Sequence, residues 1–309
     1  MTPGQQAQRD PLNLEQCRMK TQLDSRTLAS LGITLIFWAS AFAGIRAALD
    51  AYSPAHLALL RFLVASATLA VYAALTRMPL PARRDLPAIL GLGFLGITVY
   101  HVALNFGEVS VTAGAASMLI SSVPVFTAIL ATAILGERLK AWGWLGIAVS
   151  FSGAALIALG EGNGLEFDPG ALLILLAAVA TALYFVFQKP YLTRYSALQF
   201  TAYCIWAGTL LMLVFLPGLP QAVQQAPPGA TLAVVYLGVF PAAIAYGTWT
   251  YALSRAPASI ATSFLYLSPI LATLIAWVWL GEAPAALALV GGALALVGVI
   301  LVNTRGRTA

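Results

Sequence analysis

Ser122-Val123-Pro124-Val125-Phe126-Thr127 opens an apolar run that reaches Leu135 and stops at Gly136-Glu137. One hundred and forty-five residues later, Leu267-Ser268-Pro269-Ile270-Leu271 opens another, which reaches Leu280 and stops at Gly281-Glu282. The shift of 145 also carries Gly93 onto Gly238, Gly146 onto Gly291 and Gly153 onto Gly298. Earlier in each half, a shift of 143 carries Arg46 onto Lys189 and Ser53 onto Ser196. An ordered series of matches marks an internal duplication.

The copies are too apolar for water. Hydrophobic residues make up 60% of the 309 and charged residues 9%, against roughly 25% charge in a soluble chain. A hydrocarbon core about 30 Å thick takes about 20 apolar residues per helix. Charge and turn residues cut the chain into ten such segments, at 27–49, 55–76, 86–106, 112–135, 141–160, 170–188, 197–217, 230–252, 257–280 and 284–303. The expected fold is an all-α polytopic membrane protein. Its parts are a tail (1–26), a five-helix repeat (27–160), a connecting loop (161–168), a second five-helix repeat (169–303) and a short tail (304–309). An odd number of spans per copy inverts the second copy against the first, an architecture of secondary transporters.

Of the 16 Lys and Arg residues, all but Arg46 and Arg61 fall in the tails and in alternate joints. The positive-inside rule therefore puts both termini in the cytoplasm. Ala39-Ser40-Ala41 resembles a signal-peptide cleavage site but lies inside the first apolar run, so an uncleaved helix is expected. The net charge of +5 is spread over these joints without a continuous patch, so no nucleic-acid partner is expected. Cys17 and Cys204 form no CxxC pair or disulfide framework.

Trp38-Ala39-Ser40-Ala41-Phe42 with Arg46, Leu60-Arg61-Phe62 and the two Pro-to-Gly-Glu stretches resemble the EamA-type drug/metabolite transporters over about residues 28 to 303. The resemblance implies ten helices, transport of small metabolites across a bacterial inner membrane and, in one branch, amino-acid export. One departure is Cys204, which stands in the second half where the first has Arg61.

Catalytic readings find no support. The two histidines, His56 and His101, cannot form HExxH, and GxSxG and Walker A are absent. No enzyme activity and no cofactor or metal are expected, and energy must come from a gradient. Gly91-Leu92-Gly93-Phe94-Leu95-Gly96 fits GxGxxG but lies within an apolar segment, where glycines serve close helix packing. Gly146, Ser150 and Ala154, with Ala288 and Gly292, read the same way, with a dimer seam as the alternative; a monomer is favoured.

Polar groups at membrane depth usually face a cavity. Tyr100, His101 and Asn105 close the third segment, and the shift of 145 carries the last two onto Tyr246 and Thr250. Trp249 shares a helix face with Tyr246. These residues, with Trp38, Tyr184 and Tyr266, are the expected substrate contacts, against interfacial anchoring as the alternative. Pro124 and Pro269 interrupt their segments as fixed bends or hinges. Arg61 is read as snorkelling or bonding helix carbonyls in preference to touching substrate. Glu137 and Glu282 are read as end caps. Many aromatics and no mid-segment acid suit a neutral or zwitterionic small molecule. With the resemblance, that points to export of amino acids, aromatic ones included, by alternating access. Export of other metabolites or drugs, or a membrane receptor or scaffold, are the alternatives.

Overall fold

A computed structural model describes residues 24–135, 139–161, 168–255 and 264–305, and its regular elements are all helices. Seven are single stretches: α1 (Ser25–Leu49), α2 (Pro54–Thr76), α3 (Arg83–Gly107), α6 (Ala141–Glu161), α7 (Pro169–Thr193), α8 (Ala197–Phe215) and α10 (Pro228–Ala252). An eighth stretch breaks into α4 (Ala113–Ile120) and α5 (Val123–Leu135). All eight are long and apolar enough to cross a membrane. The shorter apolar helices α11 (Ser268–Leu280) and α12 (Ala286–Arg305) follow. The short helix α9 (Leu219–Gln225), in the joint before α10, was not expected from the sequence. The start of the ninth segment, Glu137 and residues 162–167 lie outside the described residues.

The outer surface of the bundle is apolar: Leu75 is 80% exposed, Val214 71% and Val278 79%. Soluble monomers rarely expose contiguous apolar surface on this scale, and lipid is its natural solvent. The chain is a multi-pass membrane protein.

Local chemistry sets the helix ends. The Asp24 carboxylate accepts from the Thr27 N–H at 2.9 Å and caps α1. Ser53 and Ser196, matched by the duplication, cap α2 and α8, each accepting from the N–H three residues on. Such caps contribute about 1 kcal/mol each.

Helix α6 lies along α12 in the bundle's most extensive seam. A Cβ on Gly153 would sit 2.4 Å from the Ala295 nitrogen, and one on Gly298 2.4 Å from that of Ser150. The backbones touch because no side chain separates them. The contacts are reciprocal, Gly146 meeting the Gly298 carbonyl while Gly291 meets that of Gly153. A second reciprocal set joins α3 to α8 and α10 to α2, where Gly93 abuts the Cys204 carbonyl and Gly238 the Arg61 carbonyl. Of the GxGxxG glycines, Gly93 and Gly96 are packed as expected and Gly91 faces open space.

Regular helix is broken at matched places. Helix α3 widens into a π turn over Phe94–Val99, and α10 does so over Phe240–Ile244, where Pro241 lacks the N–H a regular turn needs. Pro124 and Pro269 stand in the first turns of α5 and α11, where a missing N–H costs nothing. The breaks themselves precede the prolines, at Ser121-Ser122 and in the 3-10 turn Phe264–Leu267.

Candidate functional site

The π turn of α3 delivers Tyr100 and His101 directly after it, and that of α10 delivers Tyr246 and Trp249. Such turns concentrate at functional sites because they re-aim the side chains that follow. Trp38, near the middle of α1, joins the second group: its ring centroid lies 5.5 Å from Tyr246 and 5.4 Å from Trp249. The Trp38 indole N–H donates to the Pro241 carbonyl at 3.2 Å, an acceptor within the π turn. His101 lies 4.4 Å from Phe62 of α2 and 4.5 Å from Tyr100, centroid to centroid. The Arg61 guanidinium lies 5.6 Å from the centroid of the Phe62 ring on which His101 packs.

Asn105 is fully buried and donates to the Pro54 carbonyl at 3.2 Å, which ties α3 to the start of α2. Tyr184 of α7 packs its ring on Gly96 in one apolar cluster with Cys204, and its hydroxyl has no hydrogen-bond partner among the described residues. Tyr266 belongs to another apolar cluster, with Val125, Ala128, Ile147 and Val299. Of the eight residues expected to contact substrate, Trp38, Tyr246 and Trp249 thus form one group, Tyr100 and His101 a second, and Tyr266 packs in the cluster around Val125.

One group departs from its expected role and another was not foreseen. Arg61 does not snorkel: it is 4% exposed, and its Nε and Nη1 have no hydrogen-bond partner among the described residues. Glu108, at the end of α3, is wholly buried, and both carboxylate oxygens lack a partner among the described residues. The signal for Glu108 was present in the spacing of His101, Asn105 and Glu108, four and then three residues apart, which places them on one helix face.

The end of the bundle that carries Arg46 is tied shut. Arg46 pairs with Glu282 at 3.2 Å, joining α1 to the residues just beyond α11, and donates to the Glu108 and Val109 carbonyls. Glu282 also accepts from the Ala113 N–H at 3.4 Å, in the first turn of α4, a contact of the end-cap kind. The Thr112 N–H donates to Glu161 at 2.7 Å, and the Ser110 hydroxyl to Asp168 at 2.8 Å. Among the described residues, no group of His, Cys, Asp and Glu is arranged to hold a metal.

The EamA-like transporter family model matches the chain twice, over residues 28–159 and 168–304. A Bacillus subtilis protein named "Uncharacterized transporter YdfC" is 46% identical over 272 residues, 88% of this chain and 89% of its own. A "Probable terminal-alkyne amino-acid exporter" of Streptantibioticus cattleyicolor is 45% identical over 282 residues, 91% and 94% of the two chains. A solved structure with 23% sequence identity overlays 91% of this chain and 96% of its own with a TM-score of 0.61, which supports the fold. With both halves matched and relatives aligned nearly end to end, the chain belongs to the EamA-like transporter family.

Proposed function

We propose that this transporter exports amino acids, aromatic ones included, by alternating access across a bacterial inner membrane. The carrying observation is a pair of polar-aromatic groups from both halves, Trp38 with Tyr246 and Trp249, and Tyr100 with His101 and Phe62, the last of which carries the buried Arg61 guanidinium over its ring. Aromatic faces suit an apolar side chain, and polar tips orient the molecule that carries it. The relative named as an amino-acid exporter supports the same substrate class.

The architecture we infer is ten helices in two inverted repeats, 27–160 and 169–303, joined by 161–168, with the tails 1–26 and 304–309 in the cytoplasm. The reciprocal glycine contacts, matched serine caps, matched π turns and twofold family match all support it. Under that topology the Arg46 end faces outward, so the structure is closed on the outside. Pro124 and Pro269 then mark the joints where α5 and α11 swing as the outer end opens. The monomer is the proposed unit, since the seam glycines are spent inside one chain.

Counterflow into liposomes containing the full-length protein, with a panel of amino acids, tests the reading. Saturable flux of leucine, phenylalanine or another apolar amino acid is expected. Binding of such ligands without flux would favour a receptor, and flux of only non-amino-acid compounds would overturn the substrate class.

A further inference from the structure

Arg61 and Glu108, a basic and an acidic side chain, are buried in the same helix pair without touching. Each acts electrostatically on the other, yet no nitrogen–oxygen contact within 4.0 Å joins them. Arg46, the other cation facing Glu108, is engaged by Glu282 and two backbone carbonyls. The Glu108 carboxylate oxygens and the Arg61 Nε and Nη1 are therefore left open. Burying hydrogen-bonding groups without partners costs free energy, and a ligand that pairs with both Arg61 and Glu108 recovers it.

The helix geometry aims them at one another. Asn105 fixes the level of α3 against α2 through the Pro54 carbonyl. Arg61 lies seven residues further along α2, about 10 Å deeper, and Glu108 three residues beyond Asn105, about 4.5 Å shallower. The helices run antiparallel, and side chains lean toward their own helix N-terminus. Arg61 thus leans up and Glu108 down into the interval between them. Tyr100, five residues before Asn105 and so about 7.5 Å deeper, lies in that interval.

We infer that Arg61 and Glu108 form a clamp for a zwitterion, the guanidinium taking the α-carboxylate and the Glu108 carboxylate the α-ammonium. The substrate side chain then points toward Tyr246, Trp38 and Trp249. The clamp rests on the amino-acid reading and deepens it. It is one-sided: the residue matched to Arg61 is Cys204, so only the first half carries the cation. Guanidinium and carboxylate make charge-assisted, directional hydrogen bonds, which a ligand lacking either charge forfeits.

The test uses the full-length protein in liposomes and competition by L-leucine, L-leucinamide and 4-methylpentanoate against transport of radiolabelled leucine. In the wild type, the amide and the deaminated acid should each compete roughly 10- to 100-fold more weakly than leucine, the loss expected for one hydrogen-bonded charge. Arg61→Gln should narrow the leucine-to-leucinamide ratio toward one and spare the leucine-to-methylpentanoate ratio. Glu108→Gln should do the reverse. Equal competition by all three ligands in the wild type would overturn the clamp alone and leave amino-acid export standing. Unchanged ratios with uniformly weaker binding in both variants would assign the charges to structure and also overturn it. A variant that fails to fold leaves the wild-type ratios to decide. A wild type that moves no amino acid overturns the exporter reading and the clamp together.

Discussion

At the scale of single residues, the site depends on groups whose polar atoms find little satisfaction within the protein. The His101 Nδ1 has no hydrogen-bond partner among the described residues, although the ring is 5% exposed and held between Phe62 and Tyr100. If that nitrogen meets substrate, His101→Ala should weaken leucine competition by roughly 10-fold, the worth of a hydrogen bond of about 1.4 kcal/mol. Chain yield and thermal stability should change far less. An unchanged affinity would move the contact to Tyr246 and Trp38. His101 could be read from the sequence because one histidine in an apolar segment stands out. Glu108 left only the weaker signal of its spacing from His101 and Asn105, because an acid beside a joint looks like any solvated loop carboxylate until packing buries it.

At the scale of helices, the Arg46–Glu282 pair holds α1 against the end of α11, and its side chains are 29% and 16% exposed. A pair this accessible contributes about 1 kcal/mol, and one of that size shifts a two-state equilibrium roughly fivefold. Glu282→Gln should therefore raise the reaction rate of a cysteine at Ala113, a wholly buried residue beside the pair, with an impermeant thiol reagent. A severalfold faster reaction, suppressed by saturating substrate on the inside, is the expected result. An unchanged rate would make the pair a static brace. Among the described residues, segment boundaries were legible to within a few residues because lipid selects for length and apolar composition. The π turns were not, since Phe94–Val99 has the same apolar composition as the regular helix around it. Their cause is register and packing, which composition does not record.

At the scale of the molecule, the orientation decides which end the latch closes. Cys204 is buried, and Cys17 lies outside the described residues. In a background lacking both, a cysteine at the exposed Gln224 should react with an impermeant reagent added to intact cells, and one at the exposed Ala82 should not. Labelling of Ala82→Cys would reverse the orientation and, with it, the face on which the structure is closed. The duplication was visible in the sequence because glycines and prolines cannot be exchanged where backbones touch or bend. The substrate contacts were only partly visible, because aromatic residues serve lipid interfaces and cavities equally well. Tyr266 shows the ambiguity: it reads like Tyr246 along the chain and packs in a different cluster.

The backbone seam between α6 and α12 also sets a timetable for assembly. Gly146 and Gly153 dock on residues made 138 to 156 positions later, from Gly291 to Val302. At about 5–20 residues per second, a ribosome leaves α6 without its partner for roughly 7–30 seconds. During that interval the glycine face of α6 must be held by lipid, by the insertion machinery or by a neighbour that later yields. The step that completes the bundle is then the arrival of α12, and a ribosome that stalls before Ala286 releases a chain whose widest helix contact has nothing to close on.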